Sequence, residues 1–179
     1  MAKILIFFAL FPLLHGETIK IDRLDQILPY INKATWVLLN IDDALTEGER
    51  EETCSLSIVN QIQQAAGSTC GLTARYPPLC PETLKQLAYI GIDMTFNAPF
   101  CPVLETQAPT RSEGGVLFLS DFSRKGDIFR KWLEISPIRP SKIVLIEKRG
   151  NNSIEMEKEM NDTGIDCTSV QLKALSEEN

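Results

Sequence analysis

Apolar positions along this chain alternate between short unbroken runs and stretches with helical spacing. Trp36-Val37-Leu38-Leu39 and Ile143-Val144-Leu145-Ile146 are continuous apolar runs, the pattern of strands covered on both faces in a parallel sheet. The pattern predicts strands over Trp36 to Asn40, Thr69 to Thr73, Gly115 to Ser120, Lys142 to Glu147 and Asp166 to Val170. Helical spacing falls between them. Leu24, Ile27, Leu28 and Ile31 share a face in Asp22 to Ile31, and Ile58, Ile62 and Ala65 do so in Ser55 to Ala66, which stops at Gly67. A third helix starts at Pro81, presents Leu84, Leu87 and Ala88, and stops at Gly91. Lys125 to Ile135 carries Ile128, Phe129, Trp132 and Leu133 on one side and is broken by Pro137 and Pro140. Ser153 to Thr163 is a charged helix with Gly164 beyond its end. Thr46 to Glu52 reads as a loop or helix start, and the Pro-rich Asn97 to Gly115 as a loop or a flap over the sheet edge. This alternation predicts an α/β fold, a mainly parallel sheet with helices on its faces. No internal repeat is visible.

The N-terminus departs from that pattern. Lys3 precedes an apolar run from Ile4 to Leu14, too short to span a bilayer and of the size of a secretory signal core. The expectation is a signal peptide over residues 1–16, cleaved after Gly16, and one domain over 17–179, exported to a periplasmic or secreted location with a membrane role in export alone. The chain has 179 residues, 44% hydrophobic and 23% charged, with a net charge of -6 and a pI near 4.9. That balance disfavours nucleic acid, which calls for a basic face.

Five cysteines are present, Cys54, Cys70, Cys80, Cys101 and Cys167, with no zinc-type spacing. Cys80 and Cys101 each precede a proline, which favours extended backbone, and they form the first choice for a disulfide. Cys70 and Cys167 read as small buried apolar residues. His15, the single histidine, lies in the expected signal segment, which removes histidine-based catalysis and metal binding. Met156 to Met160 reads as an amphipathic helix with a solvated acidic face. Asn151-Asn152-Ser153 and Asn161-Asp162-Thr163 match glycosylation acceptors. Trp36 and Trp132 read as core aromatics.

The candidate chemistry lies where the strands end. Open parallel sheets bind ligands beyond the carboxyl ends of their strands, and the Trp36 run feeds into Asn40-Ile41-Asp42-Asp43-Ala44. Gly71-Leu72-Thr73-Ala74-Arg75 ends the second strand, Ser123-Arg124-Lys125-Gly126 opens a helix, and Ile143-Val144-Leu145-Ile146-Glu147-Lys148 ends a later strand. Four such segments in this order resemble the motifs of the haloacid dehalogenase (HAD) superfamily, mostly phosphatases. The likeness covers Leu24 to Leu172 and is nearest to a poorly characterised exported bacterial branch with degenerate motifs.

The resemblance implies a three-layer Rossmann-like HAD core with little or no cap. It also implies roles: a nucleophilic Asp where Asn40 stands, an acid/base at Asp42, and phosphate binding by Thr73 and Lys125; Arg75 and the backbone N–H groups after Asn40 read as further donors to the same anion pocket. Magnesium would be held at the Asn40 position, the Asp42 backbone carbonyl and Glu147. The chain departs from the pattern in ways that matter. An amide at Asn40 has no stable acyl-phosphate route, Ala44 lacks a bracing hydroxyl, and Glu147 and Lys148 replace the fourth-motif acids. These changes weaken or remove the magnesium site and imply a catalytically impaired pseudophosphatase that keeps a phosphate-binding pocket for a phosphorylated small molecule, or binds a protein partner. Two alternatives are an active magnesium-dependent acid phosphatase and an interaction module on the same scaffold. A receiver-like signalling domain is disfavoured, because no acceptor Asp ends a strand ahead of Thr73. Asp43 reads as a solvated or capping acid.

Overall fold

The structure is a computed structural model and describes residues 18–44, 56–99, 110–120, 125–147, 156–160 and 162–172. The expected signal segment, Thr46 to Glu52, Cys54, Cys101, Ser123, Arg124, Lys148, Asn151 to Ser153 and Asn161 lie outside these residues. Seven strands form one sheet: β1 (Ile19–Ile21), β2 (Thr35–Asn40), β3 (Ser68–Thr73), β4 (Arg111–Glu113), β5 (Val116–Phe118), β6 (Lys142–Glu147) and β7 (Asp166–Leu172). Their order is β1-β7-β6-β2-β3-β5-β4, and every pairing is parallel except β4 with β5. The helices are α1 (Ile41–Ala44), α2 (Leu56–Ala65), α3 (Cys80–Tyr89) and α4 (Lys125–Ile135), with 3-10 segments at Leu24–Tyr30 and Pro77–Leu79. The chain is therefore α/β, a mostly parallel sheet between helical layers. No helix among the described residues is long and apolar enough to cross a membrane.

Strand side chains alternate between faces, and here each face meets its own core. Val37 and Leu39 of β2, and Val144 and Ile146 of β6, pack with Leu24, Ile27, Ile58, Ile62 and Leu87. Trp36 and Leu38, with Ile143 and Leu145, turn the other way onto Ile128, Phe129, Trp132, Leu133, Met156 and Met160. The rings of Trp36 and Trp132 sit 5.3 Å apart at 45°, within the range of favourable aromatic contacts. Arg130 ties α4 to residues 156–160 through Glu159 and also holds Asp127 and Glu134. The Glu134 carboxylate is the main cause that raises the Arg130 pKa above its ordinary value.

The predicted strands β2, β3, β6 and β7 form within two residues of their expected ends, and α4 has its predicted bounds. Four differences have physical causes. β1 is only three residues long, too short for a period to register. Leu24–Tyr30, expected as an α-helix over 22–31, is a 3-10 helix, with Pro29 interrupting its backbone ladder one residue before it ends. In α3 the buried face is Cys80, Thr83 and Leu87, and Ala88 is exposed. The irregular Asn97 to Gly115 reading misses the β4–β5 hairpin. Its two turn residues, Gly114 and Gly115, have φ of 58° and 75°, the arrangement that right-twisted hairpins favour.

Cys80, with Cys101 the first choice for any disulfide, is a free thiol. It opens α3 fully buried in the first core, and burial, followed by its hydrogen bond to Glu113, pushes its pKa up to about 11. Cys70 is buried in the second core and Cys167 packs against it, as small apolar residues do. Burial pushes the Cys167 thiol up to about 12.

Raised thiol values favour the protonated folded state. Their contribution is complete below the ordinary value of 9.0 and is lost as pH rises towards 11 and 12. Urea midpoints followed against pH will fall above pH 9, and less steeply in Cys167→Ala. A Cβ on Gly115 would meet the Met94 carbonyl, at a φ that L residues avoid. Gly115→Ala will therefore lower unfolding stability by about 1–3 kcal/mol, read by urea denaturation.

Candidate functional site

The candidate residues come from the carboxyl edge of the sheet, as parallel topology requires. β2 lies between β3 and β6, so Asn40, Thr73 and Glu147 end three adjacent strands. Alternation then divides them. Asn40 and Glu147 share parity with Trp36, Leu38, Ile143 and Leu145, which face α4. The register Leu39↔Ile146 makes them next-door neighbours on that face. Thr73 shares parity with Gly71, whose Cα faces Ile41 and Val116 on the opposite side.

On the Thr73 side, Asp42 is the hub. Its position in α1, directly after β2, folds its carboxylate back over β3. The Thr73 hydroxyl donates to one carboxylate oxygen at 2.6 Å, and Arg75 Nε donates to the other at 2.8 Å. Thr73 Oγ1 also accepts the Arg75 backbone N–H at 3.1 Å. The guanidinium continues to α3, donating from Nη1 to Thr83 Oγ1 at 3.0 Å and Gln86 Oε1 at 2.6 Å. Asp42 and Arg75 side chains are each about a quarter exposed, 28% and 24%.

On the α4 side, Lys125 and Glu147 form a sealed pair. Lys125 Nζ donates to Glu147 Oε2 at 2.8 Å, with the two side chains 0% and 1% exposed. Lysine and glutamate are almost never fully buried unless paired. Asn40 beside them is also fully buried. The pair joins the first residue of α4 to the last of β6, fastening the helix across the sheet edge.

The six candidates therefore separate into Asp42–Thr73–Arg75 on one face and Lys125–Glu147 with Asn40 on the other. Lys125, expected at a phosphate-binding position, lies buried against Glu147. Asp43 and Ala44 belong to α1; their side chains lie outside the description. Thr83 and Gln86 were not singled out in the sequence, and their spacing in α3 relative to Arg75 is the only signal they carry. Ser120 was also missed. It stands just past β5 with φ of 60°, a conformation that non-glycine residues seldom adopt outside special sites. Among the described residues, no group of three or more His, Cys, Asp or Glu could hold a metal ion. A cleft of about 510 Å³ opens near the far end of α4, lined by Arg130, Leu133, Glu134, Arg139, Glu159 and Ile165 among others. None of the six candidates lines it.

Residues 50–179 match the family described as Protein of unknown function (DUF2608). The chain belongs to this family. No curated protein and no solved structure matches it. The family match includes Thr73, Arg75, Lys125 and Glu147, and starts beyond Asn40 and Asp42.

Burial ranks the two ion pairs. Lys125→Met leaves a carboxylate sealed without its cation and will cost about 3–5 kcal/mol. Arg75→Ala breaks a screened, partly exposed pair and will cost about 1 kcal/mol or less. Urea unfolding of the two variants side by side checks the order.

Proposed function

We propose that this chain is an exported HAD-like pseudophosphatase, a domain whose catalytic positions now serve the fold. Asn40 carries the reading. It occupies the nucleophile position of the resemblance, fully buried at the end of the central strand. A carboxylate there could attack phosphorus and form an acyl phosphate; a carboxamide gives no such intermediate. The acid/base position supports the same reading. Asp42 accepts hydrogen bonds from Thr73 and Arg75 on its two oxygens, so the carboxylate is engaged inside the protein where an acid/base would have to reach a leaving group. Export draws its support from Lys3 and the apolar run from Ile4 to Leu14.

Anion binding, in this reading, falls to Thr73 and Arg75 alone. Arg75 is the partly exposed cation of the set, and a planar guanidinium suits phosphate oxygens. An incoming phosphate competes with Asp42 for both donors, so binding is weak. The second reading, a protein-interaction module, draws support from three exposed aromatics around α3: Tyr76 at 60%, Tyr89 at 91% and Phe96 at 68%. Aromatic residues in that state are enriched at interfaces.

The mature chain will show no magnesium-dependent turnover of an aryl phosphate, and neither will Asn40→Asp. Turnover in the natural chain that disappears in Asp42→Ala overturns the proposal. Calorimetric titration with inorganic phosphate will show weak binding that is lost in Arg75→Ala and tightened in Asp42→Asn, where the competing charge is gone. Binding indifferent to both substitutions removes Arg75 and Thr73 as the anion site.

A further inference from the structure

We infer that Lys125 is the resident cation of the sheet edge, its ammonium taking the place of the divalent metal that the family resemblance implies. The inference rests on that resemblance for the expectation of a metal; the pairing itself stands on geometry. A magnesium ion at this edge needs oxygen ligands carrying enough negative charge to offset two positive charges, in near-octahedral array. The residues present do not fit it. Among the described candidate residues Glu147 is the one carboxylate on the α4 face, and it already receives Lys125 Nζ at 2.8 Å in a site closed to solvent. Asn40, its neighbour across the β2–β6 register, contributes no charge. Asp42, on the other face, is matched by Arg75. Among the described candidate residues the edge thus holds two carboxylates, each matched by a cation.

A dication added to that set would lie close to a buried ammonium, where the repulsion is poorly screened. The ammonium is also better placed than a metal to hold the fold. It is covalently part of α4, so one contact neutralises Glu147 and locks the helix to β6 in every folded molecule, whatever the cation supply. Lys125 in this account is a positioning residue, acting through Glu147.

The test uses the full mature chain and thermal melting in magnesium or manganese against a chelator at matched ionic strength. The natural chain will show no cation-dependent shift. Lys125→Met will melt lower in chelator and recover by several degrees in either cation, and adding Glu147→Gln to it will abolish the recovery. A natural chain stabilised by magnesium, or a folded Lys125→Met that ignores both cations, overturns the inference. If Lys125→Met does not fold, loss of the free-manganese paramagnetic signal on titrating the natural chain decides. No loss upholds the inference, and a loss abolished by Glu147→Gln overturns it. Phosphatase turnover without a cation response would sink the pseudophosphatase reading and leave this one standing. A cation response without turnover would do the reverse.

Discussion

One buried ion pair closes the carboxyl edge of this sheet. Placing an ammonium and a carboxylate out of water carries a desolvation penalty of several kcal/mol per ion, offset only by close contact and further polar partners. Lys125 and Glu147 meet at 2.8 Å with almost no exposed surface, and both have additional interactions within the protein. Their elements are anchored independently. β6 lies between β2 and β7 in the sheet, and α4 sinks Ile128, Phe129, Trp132 and Leu133 into the second core. Apolar packing therefore sets the positions of the two charges, and the charges in turn fix how α4 begins relative to the strand ends.

The period-two alternation of strands explains why the edge works as two separate units. Asn40 and Glu147 follow the tryptophan face towards α4, while Thr73 follows Gly71 towards α1 and α3. Asp42 reaches the second unit because α1 starts immediately after β2 and turns the chain over β3. Arg75 then extends that unit to α3 through Thr83 and Gln86. The two units differ in character. The α4 side is dry and rigidly paired; the Arg75 side is partly open to water, and its ionic contact is correspondingly weak and exchangeable. In the proposed reading, anion binding belongs to the open side.

Much of this was legible in the order of residues. Unbroken apolar runs at 36–39 and 143–146 marked strands covered on both faces, and helical spacing from Lys125 to Ile135 marked the helix with its true bounds. The Gly114–Gly115 hairpin was hidden because β4 is a three-residue polar strand, Arg-Ser-Glu, that carries no apolar period. At the site, the set of residues at the strand ends could be read, and their partners could not. Lys125 looks the same in sequence whether it faces phosphate or a buried glutamate; only the depth of the second core decides. Parity along β2, β3 and β6 did contain the division of the edge, since Asn40 and Glu147 sit an even number of residues from Trp36 and Ile143. The pairing of Cys80 had no such signal, because its neighbours come from distant β4.

If the edge is a structural closure, Lys125 and Glu147 must be energetically coupled rather than separately useful. A double-mutant cycle with Lys125→Met and Glu147→Leu, read by urea unfolding, measures that coupling directly. The account predicts that the double variant is more stable than either single one, with a coupling of at least about 2 kcal/mol, because the apolar pair leaves no buried charge behind. Two losses that simply add would contradict it, and the Lys125–Glu147 contact would then have no part in closing the edge.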